Sequence, residues 1–169
     1  MKTVAVLAAC VIMFSNILPV KYQAPFESLT VEQRAAQANM QVQDFIFISS
    51  VTEAESDRMV PEEGELTTEG RVMIAIVILN RVESDRFTNQ DSIYDVLTAS
   101  GQFSTVVYSN GNYHSVTERT DYSDAAVIEA VRRIEAGSAP DCLFFNCRGF
   151  FTGTTPYGEG AIGGNYFST

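Results

Sequence analysis

The clearest pattern of apolar and polar positions lies between residues 42 and 82. Ile48, Val51 and Glu55 fall at i, i+3 and i+7 and share one helix face. A helix is predicted over 42–56. An acidic loop follows at 57–66, with Pro61 and three glutamates. Thr67 or Thr68 then caps a second, far more apolar helix over 69–82. A carboxyl that closes an apolar stripe and faces such a wall keeps its proton more readily than a solvated one. A general acid near neutral pH needs that property.

Further along, 92–100 reads as a short helix closed by Gly101, and 102–120 as a loop rich in Ser, Asn, Gly and Tyr. Ser123 caps an amphipathic helix with Val127, Ile128, Val131 and Ile134 on one face, stopped by Gly137. In the tail, Leu143-Phe144-Phe145 and Phe150-Phe151 look like short strands. Residues 152–164 form a Gly/Thr loop containing Pro156, and 165–167 a last extended piece. There are no internal repeats. Helices first and a small aromatic β-element last predict an α+β domain, mainly helical.

The N-terminus changes the picture of where this domain works. After Met1-Lys2, residues 3–20 carry no charge, a secretory or membrane-targeting pattern. The run is long for a signal peptide and just long enough to span a bilayer. No small-x-small cleavage site follows, so an uncleaved anchor is favoured over a cleaved signal. Leu7-Ala8-Ala9-Cys10 has the look of a lipoprotein box, but the apolar run before it is short and continues past Cys10. Each option exports the domain. The expected organisation is a signal peptide or anchor at 1–20, a linker at 21–40 in which Thr30 and Gln33 can cap a helix, and one folded domain at 41–169.

Charge and cysteine narrow the chemistry. The net charge of −10 and pI near 4.4 argue against nucleic acid as a partner. Arg132-Arg133 is the one adjacent basic pair, and it sits in the last turn of its helix, where the macrodipole favours cations. Cys142 and Cys147 belong to the exported part, where a disulfide can form; two buried free thiols are the alternative. With one histidine, His114, in a polar loop, no zinc site and no histidine-based triad is expected. No Gly-rich stretch follows a buried strand as a phosphate site requires. No cofactor is expected. Carboxylate chemistry remains.

Glu53 and Glu55 cannot share a task, because two positions on a helix point about 200° apart. Glu55, with Val51 and Ile48 behind it, suits a cleft better than Glu53, which has Ser49 and Ile46. The competing reading ties Glu55 to an arginine such as Arg81 as a helix-to-helix clasp.

The pattern Ile-x-x-Val-x-x-Ala-Glu-Ser at 48–56, the acidic loop, Glu69-Gly70-Arg71-Val72 and Val77-Ile78-Leu79-Asn80-Arg81-Val82 resembles the SleB-type cell wall hydrolases, the spore cortex-lytic enzymes among them. The likeness continues through Arg86-Phe87, Ile93-Tyr94-Asp95-Val96 and Gly101-Gln102-Phe103-Ser104, and more weakly through 143–146 and 163–167. It covers roughly 45–167. The resemblance implies a lysozyme-like, mainly helical catalytic domain, acting as a monomer outside the cytoplasm, that cleaves the glycan strand of peptidoglycan. The membrane would be a further partner through 3–20 if that segment is uncleaved. The family's catalytic Glu would fall on Glu55, with Glu53 as the fallback. Gln102 and Phe103 would line the glycan groove, with Asn146 and Tyr166 as further groove residues, while Asn80 and Arg81 would hold the second helix. Two departures stand out: the loop between Glu55 and Gly70 is longer than usual, and Asn165 stands where a His is common.

Hydrolysis of a glycosidic bond usually takes two carboxylates, and Asp91, Asp95, Asp121 and Asp124 look like capping or surface positions. A single Glu fits a lytic transglycosylase, in which the muramic acid 6-hydroxyl attacks the anomeric carbon; a muramidase using water stays open. The rival class is a membrane-tethered peptidoglycan-binding protein on the same scaffold, without catalysis.

Overall fold

The computed structural model describes residues 25–56 and 61–169. The N-terminal segment at 1–20 and residues 57–60 of the acidic loop lie outside them. The architecture is α+β and mainly helical, as expected. After a 3-10 turn at Phe26–Ser28 come α1 (Val31–Gln37), α2 (Val42–Glu55), α3 (Glu69–Glu83), α4 (Ile93–Thr98), β1 (Val106–Ser109), β2 (Asn112–Ser115), α5 (Asp121–Glu135), β3 (Phe144–Asn146), β4 (Pro156–Ile162) and β5 (Asn165–Ser168). Among the described residues, no helix is long and apolar enough to cross a membrane.

α3 is the axis of the fold. Every residue from Gly70 to Ile78 is buried, because α2, α4, α5 and β3 enclose it. The Thr68 hydroxyl caps its first turn, accepting from the Arg71 N–H. α2 adds Phe45, Ile48 and Val51, all with no exposed surface. α5 starts earlier than predicted. Thr120 is its cap and Ser123 returns the bond to the Thr120 N–H in a capping box. Its buried face is also shifted, to Ala125, Ala126, Val127 and Ala130, while Ile134 is exposed. The alanines let α5 lie close against its neighbours.

Three further expectations need correction. The stretch read as linker contains α1, whose Thr30–Gln33 capping box forms and whose Ala35 joins the core together with Ala38. The stretch 102–120 is not all loop. Asn110 (φ 51°) and Gly111 (φ 82°) form the left-handed pair that a two-residue hairpin turn requires, and β1 pairs antiparallel with β2 around them. In the tail, Phe150-Phe151 is not a strand, whereas Pro156–Ile162 is. The sheet order is β3-β5-β4, all antiparallel. A second left-handed pair, Gly163 and Gly164 (φ 56° and 80°), joins β4 to β5.

Asp124, read as a capping or surface position, has no exposure at all. Its Oδ2 accepts from Arg34 at 2.8 Å and from Arg119. The Arg34 Nη1 also reaches Asp121 at 2.5 Å, and its Nη2 the Phe26 carbonyl at 3.0 Å. A buried carboxylate stripped of one cation becomes costly, by about 3 kcal/mol or more. A chain beginning at residue 41 should therefore lose about that much stability in urea denaturation relative to one beginning at 25; equal midpoints would contradict this role for α1.

Candidate active site

α2 ends at Glu55, and the two acidic residues of its last turn take opposite directions. Glu53 turns inward. Its Oε1 and Oε2 accept from Arg71 Nη2 and Nε at 3.0 and 3.2 Å, and Oε2 also accepts from the Thr120 hydroxyl at 2.7 Å. Arg71 is 2% exposed. The clasp between helices thus exists, but Glu53 makes it with Arg71, rather than Glu55 with Arg81.

Glu55 turns toward a cleft of about 770 Å³, within the roughly 300–1,000 Å³ of small-molecule sites. One wall is the end of α2, Ala54 to Ser56. Opposite lie Gly101, Gln102, Ser104 and Thr105 after α4, Phe144 to Cys147 of β3 and its turn, and the Gly163–Asn165 turn, with Phe151 and Arg81 completing it. Glu55 and Arg81 are the charged side chains among these residues.

The Thr105 hydroxyl donates to Glu55 Oε1 at 2.5 Å, in the range of a charge-assisted O–H···O bond. The hairpin fixes Thr105. Its carbonyl accepts from the Val116 N–H at 2.9 Å, one step beyond the β1–β2 ladder, and the Ser115 hydroxyl binds the Ser50 carbonyl of α2 at 3.1 Å. With Oε1 engaged as an acceptor, a proton carried by Glu55 resides on Oε2, the oxygen without a protein partner among the described residues. Such a carboxyl can give a proton to a bound ligand and take one back. Sequence reasoning misses Thr105, since its pairing with residue 55 depends on a hairpin that local composition hides.

Of the expected groove residues, Gln102 and Asn146 line the cleft. Phe103 and Tyr166, expected to line the groove as well, are engaged elsewhere. Phe103 is 5% exposed, packed on Phe145 at 6.2 Å between ring centroids and under the Arg81 guanidinium. Tyr166 makes an edge contact with Phe150 at 5.1 Å. Phe144 and Phe151, 5.6 Å apart, supply the aromatic surface of the cleft together with Phe145. Asn165 is nearly buried at its edge.

Asn80 is structural, donating to the Pro140 and Cys142 carbonyls at 2.9 and 3.0 Å. Arg81 binds the Leu143 carbonyl and the Gln102 side chain at 2.7 and 2.8 Å. Cys142 and Cys147 are both free. Burial, with Asp141 adding to it, pushes the Cys142 thiol up to about 11, while Cys147 is exposed on the cleft. His114 is exposed on β2, facing Ser109 at 3.4 Å. Among the described residues no three His, Cys, Asp or Glu side chains are grouped to hold a metal ion.

The two glutamates make separable predictions. Glu53→Gln weakens a nearly buried pair and should cost about 2 kcal/mol, read as a lower melting temperature. Glu55→Gln should stay within about 0.5 kcal/mol of the parent. The reverse order would show that the structural and free carboxylates have been exchanged.

A family model described as Cell Wall Hydrolase matches residues 65–157, more than half of the chain. The match takes in α3, the Gln102–Thr105 loop, the hairpin, α5 and β3, and it begins after Glu55. No curated protein and no solved structure matches the chain.

Proposed function

The chain belongs to the cell wall hydrolase family, and on that premise we propose that it cleaves the glycan strand of peptidoglycan, at the β-1,4 bond following N-acetylmuramic acid, with Glu55 as the single acid–base group. On this proposal the domain is a lysozyme-like member of the SleB-type branch, exported and working as a monomer, secreted or held at the membrane by residues 3–20. The observation that carries it is the half-buried Glu55 carboxyl in the cleft, bonded through one oxygen to Thr105 and open at the other.

Among the described residues Glu55 is the one carboxylate lining the cleft, which favours a lytic transglycosylase over a two-carboxylate hydrolase. Glu55 Oε2 gives its proton to the glycosidic oxygen as the bond from the muramyl C1 breaks, so the departing N-acetylglucosamine leaves with a 4-hydroxyl. The resulting carboxylate then takes the proton from the muramyl 6-hydroxyl as that oxygen bonds to C1. The product is a 1,6-anhydro ring, and Glu55 is protonated again. No water is consumed. Thr105 holds the carboxyl's orientation through both proton transfers, and Phe144 and Phe151 offer apolar faces for the sugar rings.

The test uses the full chain in mild detergent on purified peptidoglycan, with the masses of released fragments as readout. Anhydro-muropeptides are expected, and Glu55→Gln should reduce their release at least about 100-fold. Reducing-end muropeptides would replace the transglycosylase step with hydrolysis by water. Retained pulldown with no released fragment would make the protein a binder. Full activity in Glu55→Gln would remove Glu55 from the mechanism altogether.

Thr105→Val isolates the positioning hydroxyl. It should lower kcat about tenfold, the worth of one hydrogen bond to a charged group, with KM nearly unchanged. A change confined to KM would mean that Thr105 contacts the substrate instead.

A further inference from the structure

Among the described residues three arginines are buried: Arg34 and Arg71 at 4% and 2% exposure, and Arg81 at 5%. The first two are paired with carboxylates, Arg34 with Asp121 and Asp124 and Arg71 with Glu53. Arg81 is paired with none among the described residues. Its hydrogen bonds go to neutral oxygens, the Leu143 carbonyl and the Gln102 side-chain amide. Its other neighbours are the rings of Phe87, Phe103 and Phe144, 5.1 to 5.7 Å from the guanidinium carbon.

A desolvated charge without a counterion is costly, and proteins normally supply one. This chain has acids in excess, 21 against 11 Lys and Arg, yet none of the described ones pairs with Arg81. Burial lowers the guanidinium only to about 10, so it stays fully charged at neutral pH. Its position is not remote: it lines the same cleft as Glu55. The three neighbouring rings and two neutral acceptors hold the guanidinium in place, which preorganises its remaining N–H groups for a planar anion.

Resting on the glycan reading of this cleft, we infer that Arg81 is a carboxylate subsite that selects muramyl residues bearing a free lactyl carboxyl group, so that peptide-free glycan is the preferred substrate. Where a stem peptide is attached, that carboxyl is a neutral amide and offers no counterion. The peptide's own carboxylates lie at the end of a long, mobile arm, whereas the lactyl group is a short arm fixed to the ring beside the bond being cut. A guanidinium on a residue that is only 5% exposed is reached by the short arm. The class of reaction that supplies this substrate is hydrolysis of the amide between the lactyl group and the first amino acid.

The test compares three forms of one N-acetylglucosamine–N-acetylmuramic acid tetrasaccharide with the full chain in mild detergent: lactyl groups as free acids, as neutral methylamides, and carrying stem peptides. kcat/KM for the free acid should exceed that for the methylamide at least about tenfold, and the ratio should shrink in high salt. Arg81→Gln should bring the ratio near one while Arg81→Lys keeps part of it. If Arg81→Gln does not fold, the salt dependence and the Arg81→Lys ratio carry the comparison. Equal cleavage of acid and methylamide overturns the subsite and leaves the glycan reading standing. Preference for the peptide-bearing form moves the anion to the stem peptide and overturns the lactyl assignment. Cleavage and binding of none of the three overturns the glycan reading, and the subsite with it.

Discussion

The ion pair between Glu53 and Arg71 fixes the rotation of α2, and through it the direction of everything the last turn of that helix presents. α3 is enclosed on all sides from Gly70 to Ile78, so the guanidinium of Arg71 has no route to solvent and must find acceptors inside. Glu53 supplies two of them, and the Thr120 hydroxyl at the cap of α5 joins the same carboxylate. Three helices are locked at one point. Because residues two apart on a helix diverge by about 200°, committing Glu53 to the interior sends Glu55 to the opposite side, where the cleft lies.

The other end of α3 meets the same constraint differently. Arg81 lies ten residues on, about 15 Å along the axis, and it is satisfied by a backbone carbonyl, a side-chain amide and three aromatic rings. These contacts bind the C-terminal sheet and the Gln102 loop to the helix. They also leave a positive charge facing a cleft that already holds a carboxyl. One buried helix therefore organises the scaffold through its first arginine and the site through its last.

What can be read from sequence follows from how local each determinant is. The helices at 42–55 and 69–83 are legible because apolar spacing alone defines them, and the placement of Glu55 follows from that spacing. α1 reads as linker because its composition is polar, and its burial depends on Arg34 meeting Asp121 and Asp124 nearly ninety residues away. The same long-range pairing hides the burial of Asp124. Strand β4 escapes a local reading because Pro156, Gly158 and Gly160 interrupt it, and it is held by pairing with β5. The β1–β2 hairpin has a local signal, Asn110-Gly111, that the surrounding polar residues outweigh. Resemblance places Phe103 on the cleft, while Arg81 and Phe145 draw its ring inward.

The proposed mechanism requires the carboxyl of residue 55 to meet the sugar–sugar bridge. The most direct measurement is a crystal structure of the Glu55→Gln chain with a bound muramyl tetrasaccharide. A glycosidic oxygen is expected within hydrogen-bond reach, about 3 Å, of the substituted side chain at position 55, with Thr105 still bonded to its other side. A glycan bound across another face, or with its bridging oxygens far from that position, would contradict it.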